Sequence, residues 1–167
     1  MIAPINTLPD SSRIWIYAAD RQLSSAETQD LSSTLNTYLA GWKAHGAPVQ
    51  AALETRHNQF LIIAADPEVA SPGGCSIDDM TRTVKTLGAQ FHVDFFVAMR
   101  VYYRASDGTI RTTDRAGFKA LAIAGDITPE TVVFDNALTS LADLRAGKWE
   151  LPAVESWHAR YFETVMA

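Results

Sequence analysis

Cys75 is the only cysteine of the chain. It stands in the run Gly73-Gly74-Cys75-Ser76-Ile77-Asp78-Asp79, where the pattern predicts the mouth of a helix. A thiol at that place has two main readings. Backbone N–H groups at a helix N-terminus stabilise a thiolate, which would make Cys75 a nucleophile, with His158 or His45 as its base and Asp78 or Asp66 as the orienting group. Alternatively, Ser76 is the N-cap and Asp79 its partner in a capping box, and Cys75 packs over Met80 as a hydrophobic staple. Asp78 and Asp79 lie within one turn and oppose a thiolate, which favours the staple. Metal ligation would need histidines from elsewhere, because no C-x-x-C or H-x-x-x-H spacing occurs, and no cofactor is expected.

The two glycines suggest a nest of N–H groups open to a ligand. Asp66, Glu68, Asp78 and Asp79 crowd the same stretch with negative charge. A cation or a neutral polar molecule therefore fits it better than phosphate.

A second constellation is Ser156-Trp157-His158-Ala159-Arg160-Tyr161. On a helix Trp157 and Tyr161 share a face and His158 lies about 100° away. That gives either a half-exposed histidine on a closing helix or a polar pair, His158 and Arg160, held at a cleft by aromatic anchors. His45 is expected at the C-terminal end of the first helix, where the dipole stabilises a cation and from which it could approach residues 66–75. Arg100 and Arg104 share a strand face and could bind a carboxylate. The candidate ligand-binding set is thus Asp66, Gly73, Gly74, Ser76, Arg100, Trp157 and Arg160. G-x-S-x-G and G-x-G-x-x-G do not occur, so neither a nucleophile elbow nor a dinucleotide loop is present.

The elements that must position these residues follow from periodicity. Residues 13–18 read as a strand, rich in β-branched and aromatic side chains. Ser24 and Glu27 form a capping box, and Leu31, Leu35, Tyr38, Leu39 and Trp42 continue as one helical stripe that Gly46 and Pro48 end. Residues 49–55 and 59–65 read as strands joined at His57-Asn58, the second apolar enough to be central. The second helix carries Ile77, Met80, Val84 and Leu87 inward, and residues 95–103 are extended. The order β-α-β-β-α-β predicts an α+β fold with a ferredoxin-like layer over residues 1–99. Residues 100–167 read as a small α+β extension: a hairpin turning at Ser106-Asp107-Gly108, a helix over residues 114–124 with Phe118 and Leu121 inward, a strand over residues 131–134, and a final helix after Pro152 with Val154, Trp157, Tyr161 and Val165 on one face. The two parts are expected to pack as one unit.

With 47% apolar and 20% charged residues among 167, the chain can bury a core. A net charge of −5 argues against a nucleic-acid binder. The start lacks the pattern of a signal peptide, a lone cysteine forms no internal disulfide, and no apolar run is long enough to span a bilayer. These features predict a soluble cytoplasmic protein without a nucleic-acid or membrane partner.

Several blocks together resemble an uncharacterised family of small bacterial proteins: Arg13-Ile14-Trp15-Ile16-Tyr17, Trp42-Lys43-Ala44-His45-Gly46-Ala47-Pro48, Gly74-Cys75-Ser76-Ile77-Asp78, Thr131-Val132-Val133-Phe134-Asp135-Asn136 and Ser156-Trp157-His158-Ala159-Arg160-Tyr161-Phe162. Members are sometimes labelled "ABC transporter ATPase". ATP hydrolysis is rejected here, because the only Gly-Lys, Gly147-Lys148, precedes Trp149 and has no glycine five residues earlier, so no P-loop exists. Tyr102-Tyr103, Phe118-Lys119-Ala120-Leu121 and Gly125-Asp126-Ile127-Thr128-Pro129-Glu130-Thr131-Val132-Val133 resemble a GYF-type adaptor domain. That resemblance implies proline-rich peptide binding on an aromatic surface, with Tyr102, Trp149 and Trp157 as exposed anchors. The expectation is a binding or regulatory protein for a small ligand or a protein partner. A cysteine-type hydrolase or transferase and an interaction scaffold are the alternatives.

Overall fold

A computed structural model describes residues 1–163, and Val165 of the expected closing stripe lies outside them. The chain divides into two compact units: Met1–Phe96 with Leu138–Ala142, and Val97–Ala137 with Asp143–Ala167.

In the first unit, β1 (Arg13–Ala18), β4 (Ala51–Arg56) and β5 (Phe60–Ala65) form an antiparallel sheet in the order β1-β5-β4. Every residue of β5 is buried, as its continuous apolar run predicts for a central strand. His57 and Asn58 turn the β4–β5 hairpin with φ of 55° and 50°, and the Gln59 amide donates to the Arg56 carbonyl at 3.1 Å. Helix α1 (Ser25–Ala40) opens with the expected capping box: Ser24 Oγ accepts from the Glu27 amide and the Ser24 amide donates to the Glu27 carboxylate. Leu31, Leu35 and Leu39 are wholly buried and share one core with Leu61, Ile63 and with Met80, Val84 and Leu87 of α2 (Gly74–Gln90). The segment 138–142 completes this unit: the Ile14 amide donates to Thr139 O at 2.9 Å and the Leu141 amide to Ser12 O at 3.0 Å.

The α+β class is the one observed, but the strand pairing is not that of a ferredoxin-like layer. β5, not β1, is central and runs antiparallel to both neighbours, whereas a split β-α-β requires a parallel pair. The strand expected over residues 95–103 shortens to β6 (Arg100–Arg104) and joins the other sheet. The residues before it turn instead. The Asp94 carboxylate accepts the Phe96 amide at 2.7 Å, and Met99 adopts φ of 57°. An aspartate that bonds its own backbone two residues on competes with strand pairing.

In the second unit, β6 pairs with β7 (Ile110–Asp114) and β8 (Val132–Phe134), and β9 (Glu150–Pro152) extends the sheet in the order β7-β6-β8-β9. The hairpin turns at Gly108, φ 82°, as expected. Helix α3 (Arg115–Ala124) is capped by Asp114, which accepts the Gly117 amide, and ends at the left-handed Gly125. Phe118 is wholly buried, with Leu121 half-buried beside it. The short α4 (Leu141–Arg145) precedes β9. The final α-helix predicted after Pro152 does not form. Two 3-10 turns, Ala153–Glu155 and Trp157–Tyr161, replace it, because Ser156 is extended and caps the second turn through the His158 amide. No helix among the described residues is long and apolar enough to cross a membrane.

Candidate functional site

Helix α1 ends at Ala40, five residues before His45, and the Gly41 amide bonds back to its last turn. His45 is therefore not at a helix end. It sits with Gly46 at the tip of a small hairpin, β2 (Lys43–Ala44) and β3 (Ala47–Pro48), whose turn has φ of 51° and 83°. Two successive left-handed residues make a tight hairpin turn, and Gly46 supplies one at no steric cost. The hairpin base is anchored to α2. Trp42 is buried, stands edge-on to Trp15 at 6.0 Å, and donates its indole N–H to the Ser76 carbonyl at 3.0 Å. The tip consequently faces the start of α2: a Cβ placed on Gly73 would lie 3.3 Å from His45 Nε2.

The entrance to α2 also differs from the expected capping box. Gly73, extended, is the N-cap, so Gly74, Cys75 and Ser76 are the first three helical residues. Ser76 Oγ donates to the Gly73 carbonyl at 3.0 Å, and Asp79 accepts from Tyr38 OH at 2.7 Å. Burial and the Asp79 carboxylate together push the Tyr38 phenol far above its ordinary range. With Ser76 inside the helix, Cys75 cannot be a staple, and its side chain is exposed. The first helical bond runs from the Ile77 amide to the Gly73 carbonyl. The amides of Gly74, Cys75 and Ser76 come before it and have no carbonyl partner in the helix.

Lys43, His45, Gly73, Gly74, Cys75, Ser76 and Asp79 line a cavity of about 430 Å³. Its charge is not the acidic one that the sequence suggests. Asp66 is buried and accepts the Glu68 amide at 2.9 Å within its own loop. Neither Asp66 nor Asp78 is among the described residues that line the cavity. Lys43 and His45 face the helix N-terminus, and the one lining carboxylate, Asp79, is held by Tyr38. The lining thus sets one lysine and one histidine against a single carboxylate. The backbone of Gly74 is not left-handed, and a Cβ there would meet nothing within 4 Å. Nothing in the chain itself requires glycine at that position.

Of the candidates, Cys75, His45, Gly73, Gly74 and Ser76 come together. Lys43 was missed. Its period-two spacing from His45 would have revealed it, had Gly46 been read as a hairpin glycine and not as a helix stop. Arg100, Trp157, His158 and Arg160 belong to the second unit. His158 is wholly buried, stacked on Trp157 at 3.7 Å, with Nδ1 hydrogen-bonded to Ser156 Oγ at 2.7 Å. Burial, aided by Arg160, lowers its pKa to about 4. It is neither a half-exposed histidine nor a base open to a substrate. Arg104 is ion-paired with Glu150, while Arg100 is exposed at the start of β6. The expected scaffold anchors also fail as exposed residues: Tyr102 and Trp149 are buried, and the Trp149 indole donates to Asn136 at 2.9 Å.

Among the described residues no group of three or more His, Cys, Asp or Glu side chains could hold a metal ion. No family model, curated protein or solved structure matches this chain.

Proposed function

We propose that this protein binds a small molecule bearing an anionic group, a carboxylate in the first instance, in the cavity at the start of α2. The observation that carries this reading is that Lys43 and His45 line one cavity with the first-turn residues Gly74–Ser76, whose amides precede the first helical bond. Amides at a helix N-terminus, the positive end of its dipole and a cation opposite are what an anion needs. Gly74 keeps the backbone open to close approach. Titration of the labelled protein with a panel of small carboxylic acids, followed by NMR, tests the reading. Saturable shifts of the Gly74–Ser76 amides and the His45 ring are expected, with affinity reduced about tenfold or more in Lys43→Ala. A panel that leaves these signals in place, or a response indifferent to Lys43→Ala, contradicts it.

A second reading has its own observation, the exposure of Cys75 in the same cavity as His45. There Cys75 would be the nucleophile and His45 its base in a hydrolase or transferase. It predicts a pH–rate profile for alkylation of Cys75 that shifts in His45→Gln. An unshifted profile leaves the binding reading alone.

A further inference from the structure

The second unit carries a cationic cluster that the α2 cavity does not use. Trp157 is half-buried at the start of the last 3-10 turn. One face of its indole lies on His158, with ring centroids 3.7 Å apart and planes 26° apart. The guanidinium carbon of Arg160 stands 5.0 Å from the Trp157 ring centroid and that of Arg115 stands 5.7 Å from it. His158, wholly buried and bonded to Ser156, fixes the bottom of this stack. Arg160 is fixed further by its Nε, which donates to the Trp157 carbonyl at 3.1 Å. Lys119 lies one turn beyond Arg115 on the same face of α3 and is exposed, as are both arginines.

Two nearby carboxylates are hydrogen-bonded within the unit. Asp114 accepts the Gly117 amide and caps α3, and Asp135 accepts the Trp157 indole N–H at 3.1 Å and the Ala137 amide at 3.2 Å. Among the described residues none of Arg115, Lys119 and Arg160 takes part in an ion pair. Arg115 and Arg160 share the Trp157 ring, and Lys119 is the i+4 neighbour of Arg115, so an anion that joins them gains from like charges already brought together. A guanidinium lying on an aromatic ring is already ordered, and its in-plane N–H groups stay free for a forked contact.

We propose that Arg115 and Arg160, ordered around Trp157, form together with Lys119 a binding site for a phosphate monoester dianion. Three cations match two negative charges and three acceptor oxygens better than they match one carboxylate. The site is independent of the α2 cavity, so either can fail without the other.

The test follows the Trp157 indole N–H signal of the labelled full-length chain by NMR. The probes are a short capped peptide with one phosphoserine among alanines, its glutamate counterpart, and a sugar phosphate. Both phosphate probes are expected to shift the signal, and the tighter of the two identifies the source as a modified polypeptide or a small metabolite. Binding should weaken about tenfold in Arg160→Gln and in Arg115→Gln, and by less in Arg160→Lys, which keeps the charge and loses the planar fork. It should also weaken below about pH 6, where the monoester loses its second charge. The proposal is overturned if neither phosphate probe shifts the signal, if the glutamate peptide shifts it equally, or if the glutamine variants, shown by their spectra to be folded, respond as the parent does.

Discussion

His158 shows how far a single side chain can depart from its sequence context. Among Ser156, Arg160 and Tyr161 it reads as polar and surface-lying, yet it is wholly buried against Phe118 and Trp157, and its Nε2 has no hydrogen-bond partner among the described residues. Burial first, and then Arg160, lower its pKa to about 4, whereas an unfolded histidine titrates near about 6.5. Below that higher value the unfolded chain binds the extra proton. Stability is therefore complete above it and is lost as the pH falls toward the folded-state value. Thermal unfolding between pH 7.5 and 4.5 should show a loss on the order of 2 kcal/mol that His158→Leu removes, whatever that variant's stability at neutral pH. An unchanged pH dependence in the variant would mean that His158 titrates normally. Gly74 gives the opposite kind of residue-scale prediction. With open space around its Cβ position and an ordinary backbone, Gly74→Ala should stabilise α2 by about 0.5 kcal/mol in chemical denaturation. The same variant should bind carboxylates less well, because the methyl group stands where the ligand approaches.

At the scale of elements, the β2–β3 hairpin decides where the site is. Its turn depends on Gly46 at φ 83°, so Gly46→Ala should cost about 1 kcal/mol or more and weaken carboxylate binding by displacing His45, as denaturation and titration would show together. The sequence displayed α1 well, because Ser24 and Glu27 announce its start and the leucines its face. It hid the hairpin. Gly46 and Pro48 carry the signals that end a helix, and two-residue strands have no periodicity to read. The same ambiguity misplaced the cap of α2: Ser76 and Asp79 fit a capping box by spacing, but the chain enters the helix at the more permissive Gly73, leaving Cys75 inside the first turn and exposed. Position near the site was legible from the glycines and the cysteine. The presence of Lys43 in its lining was not, because Lys43 and His45 arrive from a separate element.

At the scale of the whole molecule, the α+β class was legible and the topology was not. Element order is local information, whereas strand order depends on which edges pair. The return of residues 138–142 to the first unit has no local signal at all. That return is testable by hydrogen exchange. The Ile14 amide, bonded to Thr139, should be protected in the full chain and should exchange rapidly in a fragment of residues 1–96. Equal protection in the fragment would remove the segment from the account of the first unit. The central claim, an anion-attracting cavity around Cys75, can be measured with the chain's own thiol. Lys43, His45 and the first-turn amides should draw a negatively charged reagent in, so the ratio of alkylation rates for iodoacetate over iodoacetamide should exceed that of a free cysteine several-fold. The excess should fall with added salt and in Lys43→Ala. A ratio at or below that of the free amino acid would mean that Asp78 and Asp79 dominate the field, and would contradict the claim.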